Sequence, residues 1–271
     1  MTPVLVHLPA MSPEKLGQHF LADQSWQERI ARAFRVHSGV WVEIGAGHGE
    51  MTRRLAQRAS KVLAIEIDPG LAQGLRDAMA TYLNVEVIEG DVLAVDFGRL
   101  AGGAHFSVYG SLPYYITSPI LHRLFEHVDR IDAIHIVIQL EVAERIVAAP
   151  GRRDYGYLSV VSQWFGRPEI VFRIPPEAFR PPPKVDSALV SFRMPGERAK
   201  IHLDDETAFL DFVKECFAQK RKTLRNNLRA RLGARTEDAL REAGVPAGAR
   251  AEELSAAEFA ALFGVVRGIK I

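Results

Sequence analysis

The sequence predicts an α/β fold, a parallel β-sheet flanked by helices, with a small helical region at the end. Three observations carry this. Short and almost continuously apolar runs alternate with helical stretches over the first two thirds of the chain, as in strands covered on both faces. A glycine-rich turn, Gly45-Ala46-Gly47-His48-Gly49, joins the first clear strand to the helix after it. From Asp204 onward the pattern is helical to the end, with a break at Gly244-Val245-Pro246.

In order, Val40-Trp41-Val42-Glu43-Ile44 reads as the first strand and Glu50 to Ala59 as its helix. Val62 to Glu66, Val85 to Ile88, His105 to Tyr109 and Ala133 to Leu140 read as further strands. Beyond Pro150, Tyr157 to Phe165 reads as a helix, and Glu169 to Ile174 and Ser187 to Arg193 as strands. Between those strands, Pro175, Pro176, Pro181, Pro182 and Pro183 predict a stiff polyproline connection that fixes Phe179. The expected division is a ligand-binding domain over residues 1–202 and a helical domain over residues 203–271.

A chain of 271 residues can bury a full core, and 48% hydrophobic with 25% charged residues suits a soluble globular protein. No apolar run reaches the roughly 18 residues of a membrane span. The first ten residues are apolar, but Pro3 and Pro9 interrupt them and no basic start precedes them, so no signal peptide is expected. A single cysteine, Cys216, excludes an intramolecular disulfide and suits a reducing cytosol; its apolar neighbours predict a buried structural thiol.

The formal net charge of +1 carries no nucleic-acid signature as a total, but its distribution does. Seven basic residues and no acid occupy Lys220 to Arg235. Leu224, Leu228 and Leu232 recur every fourth residue and predict a helix around Lys220 to Arg231 with one apolar stripe. Lys220, Arg221, Lys222, Arg225 and Arg229 would then present a positive face, either a solvated helix surface or a nucleic-acid-binding one.

The glycine turn lets a ligand approach the main chain, and Glu66 closes the next strand where a carboxylate can accept both ribose hydroxyls. The G-x-G-x-G spacing departs from the dinucleotide pattern G-x-G-x-x-G. Glu43, two residues before Gly45, would repel a pyrophosphate but favour a cationic sulfonium with an amino-acid tail. After the third strand, Asp91 can accept from an adenine amine while Val92 packs on the ring. Gly45, Gly47, Glu66, Asp91 and Val92 together predict S-adenosyl-L-methionine as the ligand.

Ser111-Leu112-Pro113-Tyr114 sits just beyond a short apolar run. The Ser111 hydroxyl and a backbone carbonyl can accept from an exocyclic amine, and Pro113 adds no competing donor. Tyr114 offers a face for base stacking, worth roughly 1–3 kcal/mol. Neither a general base nor a metal is expected, because positioning suffices for transfer from an activated sulfonium.

With Leu16-Gly17-Gln18-His19-Phe20-Leu21, Ile65-Glu66-Ile67-Asp68, Pro175 to Asp186 and Gln219 to Leu228 added, the chain resembles the bacterial 16S ribosomal RNA adenine dimethyltransferases over nearly its whole length. The resemblance implies a class I S-adenosylmethionine-dependent methyltransferase fold, Rossmann-like, with a seven-stranded mostly parallel sheet and a small all-helical C-terminal domain. It implies dimethylation of two adjacent adenines near the 3′ end of 16S rRNA, in the immature 30S subunit, as part of ribosome biogenesis. A cytoplasmic monomer is expected. By matching positions, His19, Leu21, Gly45, Glu66, Asp91 and Ser111 would contact the cofactor. Ser111 and the Leu112 carbonyl would hold the target amine, with Tyr114 and Phe179 sandwiching its base. Ser111 and His19 stand where the family usually has Asn; a hydroxyl is shorter than an amide and lacks its fixed plane. Two alternatives remain: a 23S rRNA adenine methyltransferase of the same fold, and a non-catalytic ribosome-assembly or transcription factor that keeps the pocket.

Overall fold

The computed structural model describes residues 19–34, 38–113, 116–219 and 221–268. Its elements are β1 (Phe20–Leu21), α1 (Gln24–Ala33), β2 (Val40–Ile44), α2 (Glu50–Ala56), β3 (Lys61–Glu66), α3 (Pro69–Met79) and β4 (Val85–Glu89). There follow α4 (Phe97–Leu100), β5 (Phe106–Ser111), α5 (Thr117–Phe125), β6 (Ile131–Gln139), α6 (Leu140–Val147), α7 (Tyr157–Phe165) and β7 (Arg167–Ile174). The chain continues through β8 (Phe179–Arg180), β9 (Ser187–Arg193), α8 (Glu206–Cys216), α9 (Leu224–Leu232), α10 (Thr236–Glu242) and α11 (Ala256–Gly268).

Seven strands form one sheet in the order β4-β3-β2-β5-β6-β9-β7. The ladders β2–β3, β2–β5, β3–β4 and β5–β6 are all parallel. The apolar runs lack alternation because both faces are covered: Val62, Leu63 and Ala64 are all fully buried. From β2 the chain builds outward through β3 and β4, then returns to add β5 on β2's other side. That reversal opens a crevice beyond the carboxyl ends of β2 and β5, the usual ligand position in open α/β sheets.

Contacts divide the chain into two compact units that interleave in sequence: residues 1–140 with 171–190, and residues 141–170 with 191–271. This partition differs from the 202/203 boundary expected from the sequence, because α7 packs with the C-terminal helices. Trp164 of α7 lies 4.6 Å from the Phe209 ring, and Phe209 and Phe212 both meet Phe263 of α11. The Trp164 indole N–H donates to Glu206 at 2.9 Å, and Arg198 grips the same carboxylate with two nitrogens. Cys216 is buried in this unit, and burial pushes its thiol well above the ordinary range.

Three local expectations need correction. Strand β6 stops at Gln139, and Leu140 begins α6, whose first turn is held by a Glu141–Arg145 pair one turn apart. Phe179 is not held by polyproline geometry. Pro176–Ala178 forms a 3₁₀ turn, and Phe179 then pairs with Leu21 in a two-stranded antiparallel ladder. The basic helix begins only at Leu224, so Arg221 and Lys222 precede it in a turn, and Lys220 lies outside the described residues.

The glycine turn ends at Gly49, which takes φ +86° as the N-cap of α2. A Cβ there would also sit 2.6 Å from Leu75 Cδ1. Gly49→Ala is therefore expected to destabilise the protein by roughly 1–3 kcal/mol, combining left-handed strain with the clash. Urea denaturation checks this; an unchanged midpoint would mean that the turn re-forms around a side chain.

Candidate active site

The crevice is lined by the ends of several elements, all within the first unit. β1 and its approach supply His19, Phe20 and Leu21, the glycine turn supplies Gly45 to Gly47, and α2 supplies Glu50 and Met51. Glu66 and Ile67 come from the end of β3, and Tyr109, Ser111, Leu112 and Pro113 from the end of β5. Glu43, Val137, Phe179 and Ser187 complete the lining.

Glu66 organises one wall. Its two carboxylate oxygens accept from the Gly47 N–H at 2.9 Å and the Asp68 N–H at 3.0 Å. The Gly45 and Ala46 N–H groups both reach the Ile65 carbonyl, at 2.9 and 3.2 Å, so the glycine turn is tied to β3 by main chain and side chain together. Gly47 takes φ +54°, and the Phe20 ring lies against it, 3.1 Å from where a Cβ would be. A carboxylate has about four lone-pair sites, so Glu66 keeps acceptor capacity for a ligand hydroxyl.

The opposite wall ends at Ser111. The Leu112 N–H donates to the Val137 carbonyl at 3.0 Å, which seats the motif on the end of β6. The Pro113 carbonyl is occupied by the Ile116 N–H and the Thr117 hydroxyl, at 3.2 and 3.3 Å. The Leu112 carbonyl accepts no hydrogen bond among the described residues. Tyr114 lies outside the described residues. Phe179 borders the cleft but is only 2% exposed, packed in the core beside Leu21 and Tyr109.

Between the walls sit two buried polar groups: Glu43, which the sequence set beside a cationic ligand, and Tyr109, which sequence reading did not place in the site. Glu43 and Tyr109 are register partners on β2 and β5, so they share one face of the sheet. The Glu43 Oε2 and the Tyr109 hydroxyl are buried and have no hydrogen-bond partner among the described residues. Burial pushes the Glu43 carboxyl up to about 8, opposed by the nearby Thr52 hydroxyl and assisted by the Glu50 and Glu66 carboxylates. Burial likewise pushes the Tyr109 hydroxyl up. The sequence expectation of an ionised Glu43 is thus modified: near neutral pH the empty cleft presents mostly a neutral acid, which an arriving cation would ionise. Tyr109 was legible in principle, two residues before Ser111 and therefore on the same face of β5. Ser187 carried no sequence signal.

His19 lines the cleft. His19 Nδ1 lies 2.8 Å from the Pro181 carbonyl, which fixes its ring at the mouth. Asp91 and Val92 do not line the cleft; the Asp91 side chain accepts from the Leu93 N–H at 2.9 Å, and Val92 is buried. Of the basic cluster, Arg225 pairs with Glu237 at 3.1 Å and Arg231 with Glu215 at 2.9 Å. Arg221, Lys222 and Arg229 are exposed and have no ion-pair partner among the described residues. No group of three or more metal-ligating side chains occurs among the described residues.

Known proteins resemble this chain along most of its length. A family profile described as "Ribosomal RNA adenine dimethylase" matches residues 12–267. "Ribosomal RNA small subunit methyltransferase A" of Acidobacterium capsulatum is 46% identical, over 92% of this chain and 89% of its own. The protein of the same name from Xanthomonas campestris pv. campestris is 41% identical over 94% of this chain and 97% of its own. Among solved structures, a dimethyladenosine transferase from Plasmodium falciparum superposes with TM-score 0.75 at 25% identity, covering 90% of this chain and 96% of its own. The 23S rRNA methyltransferase ErmE gives 0.71 at 31% identity, covering 92% and 99%. The sheet order and these likenesses give a Rossmann-like class I methyltransferase fold.

The buried Glu43 makes stability depend on pH. From its ordinary value of 4.5 up to about 8, the unfolded chain releases a proton that the folded state keeps. The folded state therefore loses stability as pH rises through that window. Glu43→Gln removes this dependence, so the variant should gain on the wild type progressively between these pH values. Urea melts across that range measure the difference; a constant difference would place the Glu43 carboxyl in water.

Proposed function

The chain belongs to the ribosomal RNA adenine dimethylase family and is an adenine dimethyltransferase of small-subunit ribosomal RNA; we propose that it uses S-adenosyl-L-methionine held in this cleft. In this reading its targets are two adjacent adenines near the 3′ end of 16S rRNA, met in the immature 30S subunit by a cytoplasmic monomer during ribosome biogenesis. In this reading the first unit holds the cofactor, and the C-terminal helices, with the basic segment before and along α9, dock RNA.

The observation that supports this best is the pairing of open acceptors across the cleft: Ser111 and the Leu112 carbonyl on one wall, Glu66 on the other. The unpartnered Glu43 and Tyr109 oxygens between them fit a ligand that brings a cationic group and hydrogen-bond donors. Bound S-adenosyl-L-methionine supplies a methyl group already activated on a sulfonium. Glu66 would accept from the ribose hydroxyls, and Gly45 and Gly47 would let the main chain approach. His19 and Leu21 would wall the mouth. Asp91 would accept from the adenine amine, with Val92 beside the ring, if the adenine reaches past the residues that line the cleft.

For the substrate, an adenine amine is a poor nucleophile because its lone pair is shared with the ring. Accepting both of its N–H groups, at the Ser111 hydroxyl and the Leu112 carbonyl, favours a pyramidal nitrogen with its lone pair freed. Pro113 spends its own carbonyl on the turn, which leaves Leu112's for the base. Positioning of this kind accelerates an in-line displacement without a strong base. The base must leave its stack to enter, and Tyr114 with Phe179 would replace the stacking lost.

Single-turnover methylation of immature 30S particles, with the methylated position mapped on both rRNAs, tests this reading. Ser111→Ala should lower the transfer rate by about tenfold to a hundredfold, for one hydrogen bond of roughly 1.5–3 kcal/mol strengthened in the transition state. S-adenosyl-L-methionine affinity should change less, and Ser111→Asn should keep activity. Full activity in Ser111→Ala would remove the hydroxyl from the mechanism.

The basic segment gives a separate expectation. Arg221→Ala with Lys222→Ala should weaken particle association at low salt and flatten its salt dependence, because fewer counterions are released. Filter binding at low and high salt reads this; parallel curves for wild type and variant would leave the segment a solvated surface.

A further inference from the structure

A second concavity lies between α1 and α2 and shares no lining residue with the cleft. It has a volume of about 440 Å³ and is lined by Glu28 and Arg32 of α1, Arg53 and Arg54 of α2, and Gln57 and Arg58 just beyond. Positions 53, 54, 57 and 58 fall in two adjacent rows on one side of α2, because residues four apart stack along a helix. Four guanidiniums thus converge on a groove with a single carboxylate. That carboxylate, Glu28, meets Arg32 only at 3.5 Å, with the two side chains 57% and 77% exposed, so it neutralises little.

Two of the four guanidiniums are held in place by the main chain. Arg54 Nη1 donates to the Glu50 carbonyl at 2.9 Å, and Arg58 Nη1 donates to the Ala31 carbonyl at 3.1 Å, tying the end of α2 to α1. Each anchor uses one of five N–H donors, and the planar forks keep the rest for a ligand. Like charges gathered at this density repel one another and are relieved by an anion. Their row-like spread over two helices fits a repeating polyanion better than a single small ion. α2 itself begins at the cleft, with Glu50 and Met51 in its lining, so the backbone of Arg53 and Arg54 lies within the helix's length of about 10 Å from it.

We propose that this arginine groove grips the phosphate backbone of the RNA substrate outside the methyl-transfer cleft. The proposal rests on the reading above that the substrate is ribosomal RNA.

The test uses the full chain and immature 30S particles, with association measured from about 50 to 200 mM KCl. Arg32→Gln combined with Arg53→Gln removes the two guanidiniums that anchor nothing on the main chain. The slope of log affinity against log salt should become shallower by roughly 1.4–1.8, the release expected for two phosphate contacts. The single-turnover rate at saturating particle should stay unchanged. An unaltered slope overturns the proposal. Gln57 is exposed, so Gln57→Glu and Gln57→Lys test the same groove with no risk to folding. Their affinities should move in opposite directions, down and up, and equal affinities overturn the proposal as well. Arginine-dependent binding that survives ribonuclease digestion of the particle would overturn it in favour of an acidic protein partner. Should the wild type fail to methylate these particles while the slope still responds, the substrate reading falls and the groove stands. Should methylation proceed while the slope does not respond, the groove alone falls.

Discussion

Glu66 holds the first unit's ligand architecture together. A carboxylate at the carboxyl end of β3 accepts from the N–H groups of Gly47 and Asp68, one on each side of it. The first contact pins the glycine turn, and the second orients the start of α3, whose N-cap is Asp68. With Gly45 and Ala46 sharing the Ile65 carbonyl, the turn becomes an extension of the sheet rather than a free loop. Backbone donors aligned on a charged acceptor make stronger bonds than neutral pairs. The walls of the cleft are therefore preorganised before any ligand arrives, and ligand-contacting geometry does not have to be created on binding.

That preorganisation has a counterpart in cost. Glu43 and Tyr109 lie side by side on the sheet face below the turn, buried and without partners for the Glu43 Oε2 and the Tyr109 hydroxyl among the described residues. Apolar residues at these positions would stabilise the free protein, because unpaired buried polar groups cost about 1–3 kcal/mol each. Their presence facing a cleft has a physical rationale once a cation and its donors occupy the space. Burial holds the Glu43 carboxyl up at about 8, and a positive group beside it would act in the opposite direction.

Electrostatics on the surface follow a different logic. A net charge of +1 would steer no polyanion as a whole, yet positive charge is concentrated in two places. One is the segment before and along α9, where Arg221, Lys222 and Arg229 stay exposed while Arg225 and Arg231 are matched by acids. The other is the arginine groove of α1 and α2. Local fields of this kind act within about a Debye length, roughly 8–10 Å, so their distribution matters more than the sum.

The sequence by itself determined the class of fold, the order of its strands along the chain, the glycine turn and the residues at the ends of β3 and β5. These depend on local patterns, namely unbroken apolar runs, glycines where φ is positive, and a Ser-Leu-Pro motif after a strand, and local patterns survive in one dimension. Only the tertiary structure decided which strands are neighbours, and hence that Glu43 faces Tyr109 and that Ser111 closes a cleft opened by Gly45. It also decided that Phe179 is held by pairing with Leu21, more than 150 residues earlier, and not by the prolines around it. It grouped α7 with the C-terminal helices through Trp164 and Phe209, across the boundary that composition suggested. The arginines of α1 and α2 were invisible as a cluster because Arg32 and the Arg53–Arg58 stretch are separate segments of the chain, joined only by the packing of α1 against α2. Register, burial and long-range pairing are properties of contacts between distant segments, and no residue pattern along the chain encodes them one at a time.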